Sequence, residues 1–163
     1  PTHRPRCRRG GEEEERAGMK DVNYYKTIRE GAINVKLGLV SELIKRQQEG
    51  KKICGYGAAA KGNTLLNYCK IDRDLIPFVV DITPAKQGKF LPGSHIPIMP
   101  EAQLEFYKPD YILILPWNHK QEIADRLAYT QDWGAKFIVP IPTPHLYSEE
   151  KLMDREKEIV QVK

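Results

Sequence analysis

The sequence predicts an α/β fold: a parallel sheet of about four strands, ordered 2-1-3-4, flanked by helices and preceded by an amphipathic helix. Three observations predict it. Apolar runs of strand length recur at about 51–56, 76–81, 110–115 and 136–141, separated by segments of helical length. The first run ends in a turn of small residues, Gly55-Tyr56-Gly57-Ala58-Ala59-Ala60, that opens a helix. Phe78-Val79-Val80 and Ile112-Leu113-Ile114-Leu115 are continuously apolar, as expected of strands covered on both faces.

Residues 1–18 stand apart from this pattern. Arginines precede Glu12 to Glu15, and almost nothing there is apolar. Such a stretch cannot join a core; it reads as a disordered tail or an upstream fragment ahead of a natural start at Met19. The acidic block and the lack of aromatics argue against a nucleic-acid arm. Residues 19–50 form the N-terminal helix. Val22, Tyr25, Ile28, Ala32, Val35, Leu39, Leu43 and Ile44 make one stripe from about Asp21 to Glu49, with Asp21 as N-cap and Gly50 as the stop. Gly31 and Gly38 lower its intrinsic propensity, so packing must hold it. Its simplest role is to cover the sheet; Tyr24 and Tyr25 could reach a ligand, or the helix could join this domain to another.

The first strand and its turn open the main domain, residues 51–147. A strand feeding a helix of about 59–69 through small residues aims main-chain N–H groups at one spot, where the helix dipole favours an anion. Gly55 and Gly57 lack a Cβ and permit a sharp turn and close approach. The spelling is not a standard fingerprint. Ala60 stands where G-x-G-x-x-G has its last glycine, and Lys61 precedes Gly62, whereas a P-loop lysine follows its glycine. The competing reading is a turn that only lets helix and strand pack.

The second strand ends at Asp81. An acid there either accepts ribose hydroxyls, as in dinucleotide folds, or caps the turn through Thr83-Pro84. The loop 82–98 is rich in proline and glycine and carries Lys86, Lys89 and His95, which suit closure over a phosphate or sugar, though surface lysines are commonly only solvated. Pro100 can start a short helix through Phe106. The third strand runs straight into Pro116-Trp117-Asn118-His119, with Asn118 as N-cap of a helix to about Tyr129. Ligands of open α/β sheets gather outside strand carboxyl ends, so Trp117, Asn118 and His119 face the expected crevice. Pro140 and Pro142 put the last strand near an edge, or mark its end. Thr143 to Tyr147 form a loop, and residues 148–163 a short charged helix or tail capped by Ser148.

Composition bounds the function classes. A chain of 163 residues, 40% hydrophobic and 29% charged, can bury a core without staples. No apolar run reaches membrane-span length and no signal peptide opens it, so no membrane partner is expected. Cys7, Cys54 and Cys69 are odd in number and lack CxxC spacing, so neither a metal site nor a disulfide framework is indicated, and a reducing cytoplasm fits. No residue is positioned by spacing as a catalytic acid, base or nucleophile.

Gly55-Tyr56-Gly57-Ala58-Ala59-Ala60-Lys61-Gly62, Val80-Asp81 with Pro84-Ala85-Lys86-Gln87-Gly88-Lys89 and Leu91-Pro92-Gly93, and Leu115-Pro116-Trp117-Asn118 together resemble the C-terminal, Rossmann-like domain of sugar C-methyltransferases. The resemblance spans about residues 20–147. It implies a domain that packs on a central methyl-transfer domain and helps form a cleft for a nucleotide-linked sugar. The family uses S-adenosylmethionine through a domain that matches nothing here; its cysteine-rich zinc module and its catalytic His/Tyr/Glu cluster match nothing either. What transfers is binding, by Gly55, Gly57, Ala58, Lys61, Asn63, Lys86, Lys89, Trp117 and Asn118. Two other readings stay open: a stand-alone NAD(H)-binding or nucleotide-sensing protein with Asp81 on a ribose, and a purely structural module.

Overall fold

The structure, a computed structural model, describes residues 22–147. The expected tail at 1–18, the cap at Asp21 and the helix after Ser148 lie outside them. The chain divides into two units, residues 1–34 and 35–163. Of the first unit, the described part is the opening half of helix α1 (Val22–Gln48), where Tyr24 and Tyr25 meet edge to face at 5.7 Å. Val22, Tyr25 and Ile28 are all exposed.

In the second unit, α1 ends near Gly50, whose φ of +73° makes it the expected stop. There follow β1 (Ile53–Tyr56), α2 (Ala60–Cys69), β2 (Val79–Val80), β3 (Ile98–Met99), α3 (Gln103–Tyr107) and β4 (Tyr111–Ile114). The chain then forms a 3-10 turn (Trp117–His119), α4 (Lys120–Arg126), a second 3-10 stretch (Ala128–Trp133), β5 (Lys136–Val139) and β6 (His145–Tyr147).

The sheet has six strands in the order β3-β2-β1-β4-β5-β6, parallel except for the β5–β6 pair. The expected order of four is its centre, β2-β1-β4-β5. Two short edge strands add to it. Pro97 and Pro100 bracket β3, and Pro142 and Pro144 precede β6, so each is too brief to give an alternating pattern of its own. The Ile141–Pro142 peptide is cis.

Alternate strand residues face opposite sides, giving two cores. Ile53, Val79, Tyr111, Leu113 and Ile138 pack with Leu39 and Leu43 of α1 and Leu65 and Leu66 of α2. Cys54, Tyr56, Val80, Ile112, Ile114 and Phe137 pack with Leu104 of α3 and Ile123 and Leu127 around α4. Leu39 and Leu43 are fully buried, so the second half of the predicted stripe holds α1 in place, although Ile44 stays partly exposed. The predicted helix from Asn118 to Tyr129 is corrected: Asn118 lies inside the 3-10 turn and makes no capping bond, and helicity passes to 3-10 geometry after Arg126. No helix among the described residues is long and apolar enough to cross a membrane.

Candidate ligand-binding crevice

Strands β1 and β4 are neighbours, but the chain leaves β1 toward β2 and leaves β4 toward β5. Their carboxyl ends therefore part, and the turns that follow them wall a crevice. The turns touch at its base. Gly57 has φ +84°, and a Cβ placed on it would lie 2.4 Å from Pro116 Cγ. Only glycine allows both the backbone angle and that contact. Gly55 and Gly62 are packing positions: added Cβ atoms would fall 2.7 Å from Val79 Cγ2 and 2.5 Å from Leu115 Cβ. The alternative reading of the glycine turn, close helix–strand packing, is thus true of these two.

Two hollows open around the Gly57–Pro116 contact. The larger, about 310 Å³, is lined by Tyr56, Gly57, Asp81, Thr83, Lys86 and Arg126 among others. The smaller, about 230 Å³, is lined by Ala60, Lys61, Leu115, Trp117 and Asn118. Ala59, Pro116 and His119 border both. The first N–H groups of α2 have no carbonyl behind them in the helix, and Ala59 at the cap position supplies no side-chain acceptor. That end of α2 offers donors and partial positive charge to the smaller hollow.

Asp81 is 5% exposed and already engaged. Its Oδ2 accepts from Ala58 N–H at 2.7 Å and from Lys86 Nζ at 3.0 Å, and its Oδ1 accepts from Thr83 N–H at 2.8 Å. Lys86 Nζ also donates to Ala58 O at 3.1 Å, and Gln87 Nε2 to Asp81 O at 2.8 Å. Burial pushes the Asp81 carboxyl up, but the bonds from Thr83, Lys86 and the Ala58 N–H outweigh it and leave the group below the usual carboxylate range. Of the two roles open for Asp81, capping the Thr83 turn is the one realised, and Lys86 braces it.

The loop 82–98 folds back on the domain. Gly88 N–H donates to Ile98 O, Ile98 N–H to Lys89 O, and Asn67 Nδ2 of α2 to Pro92 O. Asn63 accepts from Asn67 Nδ2 at 3.2 Å and borders neither hollow. Gly55, Ala58 and Lys89 border neither as well, and Lys89 and His95 are exposed. The crevice thus gathers Gly57, Lys61, Asp81, Lys86, Trp117 and Asn118 from the predicted set. Trp117 is half-buried against the first core as well as lining the smaller hollow.

His119 was expected at the crevice; Glu122, Ile123 and Arg126 were not, nor was the cluster of Tyr56, Glu101 and Tyr129. His119, Glu122, Ile123 and Arg126 all line the larger hollow, and their spacing of three, four and seven was the available signal. Tyr56 O–H donates to Glu101 Oε2 at 2.9 Å and Tyr129 O–H to Glu101 Oε1 at 3.5 Å. Burial and Glu101 together push the Tyr56 hydroxyl up, and burial with the Glu101 charge pushes Tyr129 up to about 12. No spacing rule joins residues so far apart in sequence. Among the described residues, no three His, Cys, Asp or Glu side chains gather as metal ligands.

A family model described as the C-methyltransferase C-terminal domain matches residues 2–142. The chain is also similar to the C-methyltransferase NovU of Streptomyces niveus, 45% identical over 105 residues, a match covering 64% of this chain and 25% of that protein. The chain therefore spans about a quarter of the relative it matches. With a Rossmann-like sheet, a glycine turn on its first strand and a crevice where the strand order reverses, this chain belongs to the family of C-methyltransferase C-terminal domains.

Proposed function

We propose that this domain binds a nucleotide-linked sugar in the β1–β4 crevice and serves a methyl-transfer domain without transferring the methyl group itself. The observation that carries this reading is the meeting of both turns at one crevice, with Ala59, Pro116 and His119 bordering both hollows. A two-part ligand with an anionic link suits that shape. Lys61, Trp117 and Asn118 offer a cation, an aromatic face and an amide on one side; Thr83 and the Asp81–Lys86 pair line the other.

S-adenosylmethionine, which the family's chemistry implies, is poorly favoured by the residues present. Its ribose hydroxyls call for a free carboxylate at the β2 end, and the Asp81 oxygens are engaged by three donors. The same observation stands against NAD(H). The methyl donor is accordingly assigned to another part of a longer protein, and the methyl-transfer domain is the expected partner. Free, buried thiols at Cys54 and Cys69 accord with a cytoplasmic setting.

Isothermal calorimetry with thymidine diphosphate, a thymidine diphosphate-sugar, NADH and S-adenosylmethionine tests the reading. Saturable heat is expected with the first two alone. Absence of binding by both, or tighter binding of NADH, overturns it.

A further inference from the structure

We infer that Arg126, with the His119 ring beside the same hollow, and not the loop lysines, reads the ligand's anionic link; the inference rests on the nucleotide-sugar reading. Lys86 borders the larger hollow, but its Nζ is held by Asp81 Oδ2 and Ala58 O. Turning it outward to a phosphate would break both of these hydrogen bonds, one of them to the Asp81 carboxylate that it braces. Lys89 borders neither hollow.

Arg126 is exposed, lines the larger hollow, and among the described residues makes no ion pair. Its guanidinium presents a planar fork of donors that matches two phosphate oxygens. His119 is the ionisable side chain common to both hollows, and its contact with Glu122 is a loose 3.7 Å between side chains that are each mostly exposed. The charged groups lining the larger hollow are Lys86 and Arg126 against Asp81 and Glu122, two of each sign. With Lys86 and Asp81 neutralising one another, Arg126 is the remaining cation of the larger hollow and Glu122 its remaining anion. His119, Glu122 and Arg126 share one helical face, so the three act on one ligand group together.

The test measures binding of thymidine diphosphate, thymidine monophosphate and thymidine to the full chain at pH 7. Arg126→Met should weaken diphosphate binding about tenfold and leave thymidine within about twofold, the signature of a lost charge-assisted contact. His119→Gln should weaken the diphosphate about threefold and leave thymidine within about twofold. Arg73→Gln, an exposed cation beyond the C-terminus of α2, should change nothing. Equal losses for nucleoside and diphosphate, or unchanged affinity in both variants, overturn the inference while leaving the nucleotide-sugar reading intact. A wild-type chain that binds none of the three overturns both.

Discussion

Replacing Asp81 with asparagine preserves shape and removes one charge at the point where three donors converge. An amide offers one oxygen where the carboxylate offers two, and its NH2 confronts a donor. One of the Ala58 and Thr83 N–H groups, at 2.7 and 2.8 Å, must lose its acceptor. A hydrogen bond to a charged group contributes about 1.5–3 kcal/mol, and the orphaned donor adds about 1 kcal/mol more. The Lys86 side chain is 43% exposed, so solvent screening holds its share to roughly 0.5 kcal/mol. The sum is a loss of about 3–4.5 kcal/mol, which lowers Tm by roughly 10 °C in a chain of this size. Urea unfolding of wild type and Asp81→Asn at pH 7 measures it. The pH dependence has a definite sign. Asp81 lies below its ordinary value in the folded state, so its contribution is complete above the unfolded value of about 3.9 and fades as pH falls through the folded one. The gap between the two proteins should hold from pH 7 to about 5 and narrow below about 4. A loss under about 0.5 kcal/mol at pH 7, or a gap unchanged at pH 2, would refute the bracing role.

Further predictions concern packing and the second polar cluster. Gly57→Ala should cost about 2–4 kcal/mol, because the new methyl meets Pro116 and the residue keeps a positive φ; chemical denaturation reads this directly. Leu39→Ala should cost about 2–4 kcal/mol, whereas Tyr25→Ala, at an exposed position on the same helix, should stay within about 0.5 kcal/mol; equal effects would contradict the division of α1. Tyr56→Phe should cost about 1–2 kcal/mol by taking a donor from Glu101, and a neutral result would remove that cluster's structural role.

The centre of the fold was legible because each central strand is continuously apolar and each crossover has helical length. The turn at residues 55–62 was legible too, since its small residues serve strand ends and packing at once. The edge strands escaped because β3 is two residues and β6 three, and both take their pairing from tertiary contact rather than from their own pattern. The first half of the apolar stripe on α1 gave a helix but not burial: periodicity fixes a face, not what lies against it. At the crevice, charge type was readable and engagement was not. Asp81 and Lys86 are five apart and look independent in sequence, yet they form one brace. Arg126 became visible only when α4 placed it on the same hollow as Gly57.

The loop between β2 and β3 is fastened at both ends and in its middle: Gln87 to Asp81, Gly88 and Lys89 to Ile98, Asn67 to Pro92. A segment so tied is a fixed wall, with no swinging gate to time entry or exit. On the proposed reading, ligand capture past this wall needs no movement of the loop itself, so this segment should set no ceiling on an observed rate that rises with concentration.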